Sequence, residues 1–203
     1  MEIEAKFAIS DLITFQRLLA LETLAGLRLT PGPTRQVHDR YLDTPGRLIL
    51  HAGYTCRVRQ RENQRLVTFK GLGGAEGAIH QRAEHEVALP PGATEAPSTW
   101  PAGLARTLAM ELSQGQPLRL LFDLRQTRHV RAVTDGDRAV AELSLDEVLV
   151  GKTAYFELEV ELTLVGTMND LRRLAHDLAT RWNLTPEPRS KFERALTLHP
   201  SPS

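Results

Sequence analysis

The first residues of the chain combine two carboxylates and an amine at a spacing that suits a metal ion and a phosphate. Glu2, Glu4 and Lys6 alternate with apolar residues such as Ile3 and Phe7. Because strand side chains alternate between faces, the three charged groups would share one face at intervals of about 7 Å. The carboxylates could hold a divalent cation, and the ammonium could contact an anion bound to that cation. A solvent-facing strand is the alternative for so short a motif.

The same alternation of polar and apolar residues recurs in later segments that have strand-like composition. Acidic and basic residues share the polar faces. Burying this many charges unpaired would be prohibitive, but a wet tunnel that receives metal and polyphosphate relieves the cost. A solvated face of an open sheet is the alternative. The polar positions are Glu2, Glu4 and Lys6; Arg57, Arg59 and Arg61; Thr68 and Lys70; Arg82, Glu84 and Glu86; Gln126 and Arg128; Glu142, Ser144 and Asp146; and Glu157, Glu159 and Glu161.

Length and composition restrict the class of protein. The 203 residues suffice for one domain of ordinary size or two small ones. The 25 basic and 25 acidic residues give zero formal charge, so nothing global draws the chain to nucleic acid or to an anionic membrane. Cys56 is the only cysteine, which excludes an internal disulfide and suits a reducing cytosol. Because there is no apolar run of about 20 residues and no signal peptide, we expect a cytoplasmic protein.

Strand-like runs bounded by turn residues dominate the chain. Several junctions, such as Asp135-Gly136 and Gly151-Lys152, have the residues of antiparallel hairpin turns. A mostly antiparallel sheet is therefore predicted. The predicted strands cover about residues 2–9, 36–43, 54–61, 65–71, 80–89, 118–134, 138–150 and 154–165.

Three helical patterns accompany these strands. They follow Asp11, lie around residues 104–112, and follow Thr167, which forms a predicted capping box with Asp170. Amphipathic helices can cover the apolar face of the sheet, which leaves the charged face for an interior. We predict an α+β fold, an eight-stranded antiparallel β-barrel with helices packed on the outside.

The motifs occur together in an order that resembles a known family. They resemble the CYTH family, also called triphosphate tunnel metalloenzymes, over almost the whole chain, and the resemblance implies a single tunnel domain. We place this domain at residues 1–199 and expect a disordered tail at 200–203, since chain termini often fray. The resemblance also implies triphosphate substrates, Mg²⁺ or Mn²⁺ as cofactor, and triphosphatase or adenylate cyclase activity. The motifs are Glu2-x-Glu4-x-Lys6, Tyr41-Leu42-Asp43-Thr44, Arg57-Val58-Arg59, Thr68-Phe69-Lys70-Gly71, Arg82-Ala83-Glu84-His85-Glu86, Asp146-Glu147, Phe156-Glu157-Leu158-Glu159 and Ser190-Lys191-Phe192-Glu193-Arg194.

The resemblance implies a role for each matching position. Carboxylates would ligate the metal, because hard cations prefer oxygen ligands, with ion pairs to the arginines of the tunnel as the alternative. Basic residues would grip the phosphates. The implied metal ligands are Glu2, Glu4, Asp146, Glu157 and Glu159. The implied substrate-binding residues are Lys6, Arg57, Arg59, Lys70, Arg82, Arg128 and Lys191. The implied catalytic residues are Glu2, Glu4, Lys6, Asp146 and Glu159.

The sequence leaves the roles of a few charged and polar positions open. Arg128 is placed by its resemblance to a Thr-Arg pattern, and Arg125, on the opposite parity, is the competing choice. A lysine that the family usually has two residues before that arginine is replaced by Gln126, which weakens one predicted phosphate contact. Glu84 and Glu86 either orient the basic residues or help to hold metal.

The predicted function is metal-dependent hydrolysis of the terminal phosphate of inorganic triphosphate, thiamine triphosphate or a nucleoside triphosphate. One alternative is an adenylate cyclase that makes cyclic AMP from ATP in the same tunnel. The other is a non-catalytic polyphosphate or nucleotide-binding module. The expected partner is a triphosphate-containing small molecule, with no membrane and no nucleic acid, except that an RNA 5′-triphosphate stays open. The sequence leaves the oligomeric state open between monomer and homodimer.

Overall fold

The computed structural model of the protein describes residues 2–198. The predicted tail at 200–203 lies outside the described residues. Twelve strands and five α-helices occur within them. The strands are β1 Glu2–Ile9, β2 Thr23–Leu24, β3 Leu27–Asp43, β4 Tyr54–Arg61, β5 Gln64–Gly71, β6 Ala75–Glu76, β7 Ile79–Arg82, β8 Glu84–Ala88, β9 Arg119–Asp135, β10 Arg138–Val150, β11 Thr153–Leu162 and β12 Thr185–Pro186. The helices are α1 Leu12–Leu19, α2 Leu48–His51, α3 Leu104–Ser113, α4 Met168–Thr180 and α5 Lys191–Leu198, with a 3₁₀ turn at Pro97–Thr99.

All twelve strands belong to one antiparallel sheet. The order across it is β6-β7-β1-β11-β10-β9-β3-β4-β5-β8, with β12 beside β1 and β2 beside β3. Long hairpins join β9 to β10 and β10 to β11, so each of these central strands pairs with its neighbour in the sequence. The predicted antiparallel, sheet-rich α+β architecture is therefore confirmed.

The predicted closed barrel is not confirmed, because the sheet is open at one point. The predicted strand at 80–89 divides at Ala83 into β7, which pairs with β1, and β8, which pairs with β5. Strand β7, which lies next to the short edge strand β6, and the opposite edge strand β8 are thus consecutive pieces of one segment. The backbone N–H of Gly71 donates to the Ala83 carbonyl at 3.0 Å, so β5 follows the segment across this break.

Two apolar clusters cover the outer face of the sheet. Phe15 of α1 and Leu174 of α4 pack with Phe7 and Leu158 of β1 and β11. Around α3, Trp100 and Ala109 pack on β4 and β5. The Thr167–Asp170 capping box is present, since the Asp170 N–H donates to Thr167 Oγ1 and the Thr167 N–H donates to Asp170 Oδ2. The expected positions of α1, α3 and α4 are confirmed.

A third apolar cluster lies inside the curved sheet. Phe192 of α5 packs against Tyr41 and Phe122, with ring centroids 5.2 and 5.5 Å apart. Helix α5, which the helical periodicity did not predict, therefore covers the inner face at one place. No helix within residues 2–198 is both long and apolar enough to cross a bilayer.

Strand β3 begins earlier than predicted, at Leu27 instead of residue 36. Its Pro31-Gly32-Pro33 segment argues against a strand, because proline cannot donate to the ladder. The structure accommodates this segment with a register shift between Pro31 and Thr34 opposite β9. The strand thus continues past the prolines and carries Arg35 onto the inner face.

Candidate functional site

The inner face of the sheet and the start of α5 enclose a cavity of about 300 Å³. Charged side chains form most of its wall. Within residues 2–198, nine basic residues and seven carboxylates line it. The basic residues are Lys6, Arg35, Arg57, Arg59, Arg61, Lys70, Arg82, Arg128 and Lys191. The carboxylates are Glu2, Glu4, Glu84, Glu86, Glu142, Glu159 and Glu161.

Strand β1 places Glu2, Glu4 and Lys6 on the cavity side, as the alternation predicts. Lys6 Nζ lies 3.1 Å from Glu159 Oε1 and 3.5 Å from Glu4 Oε1. Its burial disfavours the ammonium, but the surrounding carboxylates outweigh that effect and raise the pKa of Lys6 above its usual value. Glu4 also accepts a hydrogen bond from Arg82. Lys6 is therefore a permanent cation at the floor of the site.

A second ionic cluster joins α5 to the sheet. Lys191 Nζ lies 2.5 Å from Glu159, 2.8 Å from Glu157 and 3.0 Å from Asp146. The strand register explains why these charged groups lie together, since Asp146 pairs with Glu157 on β11 and with Arg128 on β9. Arg128 donates two hydrogen bonds to Asp146, at 2.9 and 2.6 Å. Asp146 and Glu157 are fully buried behind these cations and do not line the cavity.

Electrostatics favour the charged forms of Asp146 and Lys191 in this cluster. Burial disfavours the charge of Asp146, but Arg128 and Lys191 hold the pKa of Asp146 below its usual value. The pKa of Lys191 is raised by Asp146 and the two glutamates against the same desolvation. The cluster is a set of paired charges, which is the arrangement that makes ionic groups tolerable in a buried place.

Helix α5 reaches the site because its start is capped and anchored. Ser190 Oγ accepts from the Glu193 N–H at 3.2 Å, and Glu193 Oε2 accepts from the Ser190 N–H at 2.6 Å. Arg194 pairs with Glu157 at 2.9 Å. The Ser190-x-x-Glu193 spacing is a capping-box signature, so this helix had a sequence signal that periodicity alone missed.

Strand β4 supplies the two arginines of the Arg57-Val58-Arg59 motif, and Asp39 of β3 holds both. Arg59 donates to Asp39 through Nε at 2.7 Å and through Nη2 at 2.8 Å, a bidentate pair. Arg57 Nη1 lies 3.5 Å from the same carboxylate. Asp39 is fully buried, and these arginines hold its pKa below the usual value in spite of that burial. Sequence reasoning missed Asp39, although it shares strand parity with Tyr41.

Lys70 connects the two edges of the open sheet. Its Nζ lies 2.6 Å from Glu2 Oε1 and 3.3 Å from Glu84 Oε2. Glu86 accepts a hydrogen bond from Thr68 at 3.0 Å. In this arrangement Glu84 and Glu86 contact Lys70 and Thr68, which are polar groups of the neighbouring strand. This geometry favours a role for Glu84 and Glu86 in orienting those polar groups.

Arg128, Arg125 and Gln126 take different positions on β9. Arg128 lines the cavity, whereas Arg125 is exposed on the other face of β9. Gln126, which replaces the family's lysine, is buried beside Asp39, with 3.5 Å between Gln126 Nε2 and Asp39 Oδ2. Arg35, Arg61, Glu142 and Glu161 also line the cavity without having been assigned to the site.

The carboxylates fit a divalent cation best at the corner that β1 and β11 share. Glu4 pairs with Glu161 in the strand register, and buried Glu2 Oε2 has no hydrogen-bond partner among the described residues. Desolvation together with Glu2 and Glu4 raises the pKa of Glu161 to about 7. Carboxylates that repel one another in this way suit a hard cation. Within residues 2–198, however, no three acidic, histidine or cysteine side chains converge closely enough to form a metal site.

The comparisons with known proteins agree with this architecture. A protein from Hippeastrum, HpAC1, named as an adenylyl cyclase with a dominant triphosphatase activity, superposes with a TM-score of 0.80 at 18% identity over 97% of this chain and 96% of that one. A Bacillus halodurans protein named as an adenylate cyclase gives 0.68 at 18% identity over 96% of both chains. A Pyrococcus horikoshii protein gives 0.59 at 19% identity over 98% and 99%.

These structures share the fold of the chain. The family model of the CYTH domain matches residues 1–195, which include every charged residue that lines the cavity. The protein therefore belongs to the CYTH domain family.

Proposed function

We propose that the protein is a divalent-metal-dependent triphosphatase that removes the terminal phosphate of a triphosphate. The observation that carries this proposal is the convergence of nine basic side chains on one small cavity. A triphosphate carries several negative charges, and its transfer chemistry depends mainly on neutralising and positioning them. The family and the Hippeastrum protein, described as having a dominant triphosphatase activity, support the same class of reaction.

The basic residues would bind the phosphate oxygens. Arg57 and Arg59 come from β4, and Arg128 and Lys191 come from β9 and α5. Guanidinium groups contact two phosphate oxygens at once, whereas the lysines act as point charges. Because most of these cations pair with carboxylates in the structure, substrate would replace those carboxylates as partner.

The carboxylates that the substrate displaces would become available to metal. Glu2, Glu4, Glu159 and Glu161 would hold Mg²⁺ or Mn²⁺ on the cavity side, and Asp146 or Glu157 would contribute to a second ion only after leaving Lys191. When bound, the metal supplies charge neutralisation and lowers the pKa of water. Water then attacks the terminal phosphorus, the bridging P–O bond breaks, and orthophosphate and a diphosphate leave. We propose the closed tunnel of the family as the form in which this happens, with substrate bridging the two sheet edges.

Inorganic triphosphate fits the cavity better than a nucleotide. Tyr41 and Phe192 are the aromatic side chains among its described lining residues, and they pack against each other and Phe122. Neither ring therefore offers a free face for stacking a base or a thiamine ring. Adenylate cyclase activity is the second candidate, because two structural relatives carry that name.

A substrate panel tests the proposal. The protein is incubated with inorganic triphosphate, thiamine triphosphate and ATP, each with Mg²⁺ or Mn²⁺, and orthophosphate is resolved from cyclic AMP. We expect orthophosphate from inorganic triphosphate at the highest kcat/KM. Cyclic AMP as the main product from ATP would establish the cyclase instead. Binding without turnover, unaffected by Glu4→Gln in the presence of metal, would establish a binding module.

A further inference from the structure

Two of the arginines that line the cavity have no partner. Arg35 and Arg61 are half-buried and form no side-chain hydrogen bond or ion pair within residues 2–198. Every other lysine or arginine of the lining has a carboxylate oxygen within 4.0 Å, as in the pairs of Lys70 and Lys191. These two guanidinium groups are therefore the uncompensated positive charge of the site.

The strand register brings the two groups to the same part of the wall. Arg35 of β3 pairs directly with Arg128 of β9. The next residue on the same face of β3, Val37, pairs with Arg61 of β4. Arg35 and Arg61 are thus diagonal neighbours on one face, about 7 Å apart at their backbones. Arg61 also follows Arg59 by two residues, so it extends the Arg57–Arg59 row along β4.

This placement has an energetic consequence. Arg35 lies directly opposite Arg128, and like charges at opposed strand positions destabilise a sheet. Arg128 is compensated by Asp146, and Arg59 is compensated by Asp39. The carboxylates of Glu142 and Glu161 line the same cavity, yet neither has an oxygen within 4.0 Å of Arg35 or Arg61. The group that balances these two charges is therefore not supplied by the described part of the chain.

We propose that Arg35 and Arg61 bind one more phosphate group, beyond the three that Arg57, Arg59 and Arg128 would contact, so that the site accepts linear oligophosphates of four or more phosphates and prefers them to triphosphate. This inference rests on the proposed function, which places phosphates in the cavity. Water attacks the terminal phosphorus and the P–O bond to the bridging oxygen breaks. The shortened chain leaves with the electron pair of that bond, and the proton of the water passes to solvent. Two guanidinium groups that converge without a carboxylate suit the doubly charged end of such a chain.

The test compares linear tetraphosphate with inorganic triphosphate on Arg35→Gln, Arg61→Gln and the double variant. In the unaltered protein we expect kcat/KM for tetraphosphate to exceed that for triphosphate about tenfold, because the two half-exposed guanidinium groups would each contribute a factor of about three. Each single variant should lower this ratio several-fold, and the double variant should bring it close to one. Arg119→Gln, an exposed change on β9 outside the cavity, is the matched control and should keep the ratio.

A binding measurement separates this inference from the proposed function. Titration calorimetry without added metal measures the Kd of both anions. If tetraphosphate binds about tenfold more tightly than triphosphate and the double variant abolishes the difference, the subsite stands even for a protein that hydrolyses neither. Equal affinity for the two anions in the unaltered protein, or an unchanged difference in a double variant that melts at the usual temperature, would overturn it. Compared with Arg61→Gln, Arg61→Lys should keep part of the preference for tetraphosphate, because lysine retains the positive charge but lacks the planar guanidinium group that binds two oxygens.

Discussion

Lys70 Nζ lies 2.6 Å from Glu2 Oε1, and this ion pair joins two strands that no backbone ladder connects. Strand β1 lies beside β7 and the short β6 at one end of the strand order, and β5 lies beside β8 at the other end. The charges of the site therefore hold the two edges of the sheet near each other. The proposed substrate binding and the architecture therefore share side chains at this position.

Replacing Lys70 tests that double role. Lys70→Gln should lower kcat/KM for triphosphate by about 10- to 100-fold, because a charge-assisted phosphate contact is lost. The free energy of unfolding should fall by about 1 kcal/mol, since the pair with Glu2 is partly exposed. Steady-state kinetics and denaturant titration measure the two effects. Lys152→Gln, in the exposed turn between β10 and β11, is the control and should change neither.

Metal and phosphate should bind cooperatively. The cations of the cavity are mostly paired with its carboxylates. Phosphate that binds alone would therefore leave carboxylates unpaired, and metal that binds alone would leave cations unpaired. When both bind, the phosphates take the cations and the metal takes the carboxylates. We expect Mn²⁺ to tighten the binding of diphosphate, the product, by about tenfold or more. Calorimetric titrations with and without Mn²⁺ that give equal affinities would contradict the exchange of partners.

The Glu161 carboxyl should make metal binding depend on pH near neutrality. Desolvation, Glu2 and Glu4 raise its pKa to about 7, so the group carries a proton below that pH in the metal-free protein. A metal ligand must be deprotonated, and the affinity for Mn²⁺ should therefore rise as the pH increases from 6 to 8. Glu161→Gln should flatten this dependence. A profile that is the same in both proteins would show that Glu161 is not a ligand.

The raised pKa of Glu161 also makes the free energy of unfolding depend on pH. Because the folded state binds the proton of Glu161 more tightly than the unfolded state, this group favours folding at low pH. That contribution is lost as the pH rises from the usual glutamate value of 4.5 to about 7. Comparing the pH dependence of unfolding in the unaltered protein and in Glu161→Gln, without metal, isolates it. The variant should lose less stability across this window.

Asp39 should be a structural requirement for the phosphate-binding arginines. It is fully buried and pairs with Arg59 and Arg57, so Asp39→Asn removes the charge partner of Arg59 and leaves Arg57 with Glu84 at 3.8 Å. We expect the free energy of unfolding to fall by about 3 kcal/mol, as for other broken buried pairs. Asp123→Asn is the matched control on β9. Its exposed pair with His38 should cost less than about 1 kcal/mol.

If Asp39 also positions the arginines, a surviving Asp39→Asn protein should bind triphosphate with a higher KM. Asp39→Glu should recover part of the affinity, because it restores the charge at a slightly different place. Measurements at a temperature where both variants are folded separate this effect from unfolding. An Asp39→Asn protein with unchanged KM would leave Asp39 with a structural role alone.

Strand parity predicted much of the site. Glu2, Glu4 and Lys6 lie on the cavity side because a strand has a fixed two-residue period, and Arg57 and Arg59 follow the same rule. The parity of β9 also separated Arg128 from Arg125. Local periodicity was sufficient wherever a strand was regular and its ends were marked by turn residues.

The rest depended on pairing between distant parts of the chain. Arg35 was missed because Pro31 and Pro33 concealed the first half of β3, which pairs with β9 and with the short strand β2. Asp39 lies within the predicted strand, but its role depends on Arg57 and Arg59 of the neighbouring strand β4. The break at Ala83 has no local signal, since it arises where one segment changes its partner from β1 to β5. The sequence marked Asp146 and Glu157 as cavity carboxylates, whereas packing of α5 places Lys191 in front of them.

Release of orthophosphate from inorganic triphosphate is the measurement that tests the central claim most directly. With Mg²⁺ or Mn²⁺, we expect orthophosphate and diphosphate in equal amounts, no release after chelation of the metal, and a decrease in kcat/KM of at least about 100-fold in Glu4→Gln and in Arg57→Ala. Folded protein that releases no orthophosphate from any triphosphate with either metal, or release that is unchanged in both variants, would contradict the account.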